Sequence, residues 1–129
     1  MPITATLDGF AYVIRFVLSG TLTLPEMTAA VDAVVKEVGS DGGYDVLSDH
    51  RALDTPATVA QLEGLVEYLR RRAKVIHGRK FAVVTASAAS FGMMRMLSVL
   101  AQRIPMEVAV FQDIAEAEEW LSHRALPPS

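Results

Sequence analysis

The sequence predicts an α/β domain in which a mostly parallel five-stranded sheet is packed by four helices. Three observations predict it. Short apolar runs of strand length alternate with amphipathic stretches of ten or more residues, the pattern of parallel strands joined by right-handed helical crossovers. The chain opens on two strand-like segments joined by Asp8-Gly9, which adds one antiparallel pair. Its 129 residues are enough for one compact core and too few for two comfortable ones.

The elements follow in order. Ile3 to Leu7 alternates apolar and polar residues, the period of a half-buried strand, and Asp8-Gly9 tolerates the positive φ angles of a two-residue hairpin turn. Phe10 to Leu18 places Phe10, Tyr12, Ile14, Phe16 and Leu18 on one face, with Val13 and Val17 on the other, which predicts a strand covered on both sides. Thr23-Leu24-Pro25-Glu26 is a capping box opening the first helix. Met27, Ala30, Val31, Val34, Val35 and Val38 repeat at helical spacing until Gly39 to Gly43 stops it. Tyr44 to Ser48 predicts a short strand ending at Asp49-His50-Arg51.

Asp54-Thr55-Pro56 is the expected start of the second helix, whose apolar stripe is Val59, Leu62, Val66, Leu69 and Ala73. Phe81 to Val84 reads as a fully buried strand. Ser87-Ala88-Ala89-Ser90 opens the third helix, which is apolar on much of its surface. Val108 to Phe111 is another buried strand, and Asp113-x-x-Glu116 caps a last helix running through Trp120 and Leu121. No repeat or linker breaks the order, so residues 1–125 are expected to form a single domain, with 126–129 a frayed Pro-rich tail.

Composition narrows the function classes. The net charge of -3 argues against a protein that wraps nucleic acid, which needs a positive excess. With no cysteine there is no disulfide scaffold, thiol nucleophile or cysteine-ligated zinc. His50, His77 and His123 are scattered, none with a second ligand at metal-binding spacing, so no metal or other cofactor is expected. Asp8 interrupts the place of a signal-peptide core, no basic leader precedes it, and no apolar run spans a bilayer. The expected compartment is the cytoplasm.

Several segments resemble, in their order and spacing, the small bacterial STAS/SEC14-like proteins of the SpoIIAA-like (anti-anti-sigma-factor) fold. They are Gly20-Thr21-Leu22-Thr23, Val46 to Arg51, Lys80 to Val84 followed by Ser90-Phe91-Gly92, Val110 to Asp113, and Ala117 to Leu121. The resemblance runs over nearly the whole chain and implies a fold more than a chemistry. It implies either a partner-binding regulatory domain or a carrier of a small apolar ligand. Regulatory members of the wider family are switched by phosphorylation of a serine in an Asp-Ser-Ser-Gly motif at a helix start. This chain reads Asp54-Thr55-Pro56-Ala57 there, so Thr55 is the corresponding candidate, with plain helix capping as its structural alternative.

Four groups are candidate binding residues. Asp49 and Arg51 share one side of a strand end, the edge where open α/β sheets bind ligands, while His50 faces away; an Asp49–Arg51 pair that pins the following loop is the alternative. Ser87 and Ser90 stand at a helix start that can receive an anion, or they simply cap it. Arg70, Arg71, Arg72 and Lys74 belong to a stretch from Arg70 to Lys80 that holds six of the twelve basic residues. That stretch offers an anionic partner a surface, or answers the negative end of a helix dipole. Met93, Met94 and Leu97 lie on the third helix, where the apolar surplus suits a ligand cavity or a homodimer interface as well as ordinary core. No catalytic motif is present: Ser90 lacks the flanking glycines of a nucleophile elbow. The sequence therefore predicts a non-catalytic module acting through a protein partner or homodimer, with a small apolar or amphipathic ligand as the alternative.

Overall fold

Strands β2 (Val13–Gly20), β3 (Asp45–Leu53), β4 (Arg79–Val84) and β5 (Met106–Phe111) run parallel, and β1 (Ile3–Asp8) pairs antiparallel with β2. Their order across the sheet is the order in the chain, β1-β2-β3-β4-β5. The computed structural model describes residues 3–8, 13–38, 44–54, 58–71, 79–86, 92, 95–97, 99, 101–104 and 106–122. The helices are α1 (Leu24–Val38), α2 (Val59–Arg70), α3 (helical residues 92, 95–97 and 99) and α4 (Ile114–Ser122). A 3-10 turn, Ala101–Arg103, leads from α3 toward β5.

The strand order decides where the helices sit. Each parallel crossover steps the same way across the sheet, and each is right-handed, so the crossover helices must all lie on one face. On that face α1 covers Ile14, Phe16 and Leu18, with Leu22 and Val34 in the same cluster. Leu62, Val66 and Leu69 of α2 pack with Leu97 of α3 and with Val83, Ile104 and Met106. Val46 touches both clusters and joins them into one layer. The opposite face belongs to α4, whose Ala117 and Leu121 pack on Val13, Leu47, Ala82 and Val84.

Alternation on β2 matches the expected faces, but its second face is covered only at the start. Val13 is buried under α4, whereas Val17 is 45% exposed. One helix is too narrow to cover five strands. Arg15 marks the border, reaching Glu118 of α4 at 3.0 Å.

Helix ends follow local chemistry. The Glu26 N–H donates to Thr23 Oγ1 (3.3 Å) and the Thr23 N–H donates to Glu26 Oε1 (3.1 Å), the expected capping box. The second helix departs from expectation. It starts at Val59 rather than near Asp54, and its N-cap is Thr58, whose hydroxyl accepts from the Gln61 N–H at 3.1 Å. Gln61 Oε1 accepts in return from the Thr58 N–H at 2.9 Å. Thr58-x-x-Gln61 thus forms a capping box at this helix start, where Asp54-Thr55-Pro56 was expected to begin it, and Thr55 itself lies outside the described residues. Where α1 and α2 cross, Gly64 is required, because a Cβ there would collide with the Leu24 side chain. Two further expectations shift in length. β5 begins two residues early, at Met106, and β3 runs on through Asp49, His50 and Arg51 instead of ending before them.

Candidate functional site

The extension of β3 builds the most polar part of the core. β2 and β3 stay in register up to Val17–Asp49, and pairing resumes at Ser19–Ala52, so β3 holds one residue more than β2 across this step. Such a bulge keeps the ladder going while re-aiming the side chains beside it. Gly20 follows in the left-handed region at φ +67°, and its carbonyl accepts from the Asp54 N–H at 2.9 Å. The Gln61 side chain then donates to the Leu22 carbonyl at 3.1 Å. The loops after β2 and β3 are thereby tied to each other and to α2.

Alternation divides the four residues of this stretch between the two faces of the sheet. On the α4 side, Arg51 grips Asp49 with two hydrogen bonds, Nε to Oδ1 at 2.9 Å and Nη2 to Oδ2 at 2.8 Å. The Arg51 N–H adds a third at 3.0 Å. The Arg51 guanidinium holds the Asp49 carboxyl below its ordinary range, against the opposing effect of burial. Arg51 is raised in turn, first by Asp49 and more weakly by Asp113. The carboxylate is buried while much of the guanidinium is open to solvent. Both Asp49 oxygens are taken, so neither is free for acid–base work.

On the crossover-helix side, Ser48 Oγ and His50 Nε2 share a hydrogen bond of 2.7 Å. His50 keeps a little accessible surface, yet burial of its ring outweighs the attraction of Asp49 and lowers its pKa to about 4. The ring is therefore neutral at pH 7. The Ser48–His50 distance is that of a nucleophile and its base, but the nearest carboxylate in sequence, Asp49, lies on the far side of the strand. Among the described residues no group is seen to orient the ring as a triad would require. One strand over, Thr85 follows β4 on the same face. It is fully buried, and its Oγ1 has no hydrogen-bond partner among the described residues.

A family model for SpoIIAA-like proteins matches residues 13–122, most of the chain. The chain belongs to the SpoIIAA-like family. Among solved structures it is similar to an uncharacterised protein of the DUF3478 family with a SpoIIAA-like fold from Shewanella loihica PV-4. That comparison has a TM-score of 0.62 at 18% identity and covers 92% of this chain and 91% of the other. It is also similar to the protein TM1081, with a TM-score of 0.59 at 16% identity, covering 93% and 88%. No curated protein matches it. At these identities the neighbours speak for the fold alone.

Of the remaining candidates in this SpoIIAA-like chain, Leu97, Arg70 and Arg71 fall among the described residues. Leu97 is buried among Leu62, Val66 and Leu69. Arg70 reaches Glu67 at 2.7 and 2.9 Å, and Arg71 approaches the same carboxylate at 3.6 Å. This lowers the Glu67 pKa, chiefly through Arg70. Ser87, Ser90, Met93, Met94, Arg72, Lys74 and Thr55 lie outside the described residues. Among the described residues no three His, Asp or Glu side chains gather as metal ligands, and no helix is long and apolar enough to cross a membrane. Sequence reasoning missed Ser48 and Thr85 as site residues. Ser48 carried a signal, since it stands two residues before His50 and must share its face. Thr85 carried only its position behind the apolar run of Phe81 to Val84.

Proposed function

We propose that this SpoIIAA-like domain is a non-catalytic regulatory module that acts through a protein contact on the outer face of α3. A second copy of the chain is the partner its own surface supplies. The observation that carries the reading is the apolar stripe on that face. Met96 is 41% exposed and Val99 is 62% exposed, while Leu97 between them is buried in the core. Gly92 continues the stripe one turn earlier, and a Cβ there would meet nothing within 4 Å. Residues at i, i+4 and i+7 share one helix face, so the three make a strip open to another protein. Regulatory members of the family work by binding proteins, which agrees with this reading.

The fold supports the same choice. Open α/β sheets bind small ligands where the strand order reverses and leaves a crevice. This sheet proceeds in one direction from β2 to β5 and has no such reversal. The small-ligand alternative would need a cavity against α3, and Leu97, one of the residues expected to line it, is buried among Leu62, Val66 and Leu69. The test is sedimentation velocity on the purified chain and on Met96→Glu/Val99→Glu. The wild type is expected to exceed the 14.0 kDa of one chain and the double variant to return to it. A wild-type chain that stays at that mass would overturn self-association.

A further inference from the structure

Self-association through α3 leaves out a second feature beside it. β5 is the last strand of the sheet, and the direction of each of its backbone groups follows from one hydrogen bond. The Thr85 N–H donates to the Phe111 carbonyl at 2.9 Å, so Phe111 faces β4. The N–H and C=O of a strand residue point the same way, and the side alternates along the strand. Glu107 and Ala109 therefore also face β4, and Met106, Val108 and Val110 present their backbone groups outward. No described residue takes them up.

Edge strands are normally guarded by charge, proline or a bulge. β5 holds a single charge, Glu107, and no proline, and the β4–β5 register runs without a bulge. Along the edge, Ile104, Met106, Val108 and Trp120 help to line an open groove of about 410 Å³. A strand laid against β5 would fill it.

We infer that β5 pairs antiparallel with β5 of a second copy, centred on Val108, so that the sheet continues across a two-fold axis. The inference rests on the self-association reading and adds a second contact to it. The outward groups select the occupant and the register. Centred on Val108, the pairing sets Val108 against the partner's Val108 and Met106 against the partner's Val110, so all three outward residues find matches on an identical strand. Glu107, the only charged residue of β5, then lies opposite the partner's Ala109. Sliding one step toward the strand start would bring Glu107 against the partner's Glu107, a like-charge pair, with one fewer backbone match. Sliding the other way also loses a match within the strand. The strand is complementary to itself in one register.

The α3 stripe lies next to this edge in the chain, since the turn Ala101–Arg103 leads directly from α3 into the groove residue Ile104. A two-fold pairing of β5 would therefore bring a second α3 into the neighbourhood of the first. Helix and strand would contribute to one continuous interface.

The experiment measures the mass of the full chain in solution for four variants beside the wild type, with circular dichroism to check the fold. Val108→Pro removes one outward N–H and leaves the β4 ladder its own donors. The expected result is a dimeric wild type and a folded, monomeric Val108→Pro. Ala109→Lys and Ala109→Glu provide a test that a folding defect cannot imitate, because each places a charge opposite the partner's Glu107. Ala109→Lys should tighten the dimer and Ala109→Glu weaken it, with dissociation constants about tenfold apart. This pair decides the matter if Val108→Pro fails to fold. A dimer that survives Val108→Pro, or that ignores the charge at 109, overturns the inference. If Met96→Glu/Val99→Glu alone still separates that dimer, the α3 reading stands without it. A wild type of single-chain mass overturns both.

Discussion

Acidification should weaken this fold in a window set by His50. The folded ring takes up a proton only near pH 4, whereas an exposed histidine does so near 6.5. Between those values the unfolded chain binds more protons than the folded one. Stability therefore falls as the pH is lowered through the window and is flat above it. A gap of that size corresponds to about 3 kcal/mol at about 1.4 kcal/mol per pH unit. Asp49 acts in a different range. Its pKa is held below 3.8 by Arg51, so the stability it confers is present above its unfolded value and is lost only as the pH falls toward the lower, folded one. The two effects meet near pH 4 without overlapping much. Urea unfolding between pH 4 and 7.5 should show the loss in the wild type, and His50→Gln should remove most of it while leaving any further loss below pH 4. Parallel curves for the two proteins would refute the reasoning. So would an NMR titration in which the folded His50 ring protonates near 6.5.

Three other perturbations follow from the packing. Thr85→Val replaces an unpartnered buried hydroxyl with a methyl of similar shape and should hold or raise stability, by up to about 1 kcal/mol; a clear loss in urea unfolding would mean that the hydroxyl is satisfied after all. Gly20→Ala forces an L residue to φ +67° and should cost about 1 to 2 kcal/mol, read as a lower urea midpoint with an unchanged slope. Leu62→Ala empties a site that is 1% exposed between α2 and the sheet and should cost about 2 to 5 kcal/mol, again by urea unfolding. A change below about 1 kcal/mol at Leu62 would mean that the site collapses around the smaller residue.

Much of the fold was legible because periodicity survives local accidents. The stripe Leu62, Val66, Leu69 and the faces of β2 follow from spacing alone. Boundaries failed where two local signals competed. Asp54-Thr55-Pro56 reads as the helix start, but the helix begins behind Thr58-x-x-Gln61, whose hydroxyl and side-chain amide oxygen satisfy two backbone donors at once. β3 outran its apolar stretch because β2 continued to offer hydrogen bonds through Gly20, which no reading of Asp49-His50-Arg51 by itself reveals. Alternation did anticipate that Asp49 and Arg51 share a side and that His50 faces away. It could not anticipate how deeply the imidazole sits, since that depends on tertiary packing that strand alternation does not encode. The pairing of Arg70 and Arg71 with Glu67 was open to a reader of i, i+3 and i, i+4 spacing, but the concentration of six basic residues between Arg70 and Lys80 drew attention to the run as a surface instead.

The direction of winding ties these features together. Because β2 to β5 advance one way, three crossover helices share a single face, and the polar pair Ser48 and His50 lies on that side of β3. Among the described residues the other face carries α4 alone, which stops at the Arg15–Glu118 border and leaves Val17 open. No reversal of strand order provides a crevice, and the recognition surface proposed above lies at the rim, on α3 and along β5. Those two elements are neighbours in sequence, joined by one turn. An insertion into that turn that spared the core should loosen self-association before it loosened the fold, whereas a cut in the core beneath α2 should do the reverse. If recognition instead belonged to the buried polar pair, the order of these effects would be inverted.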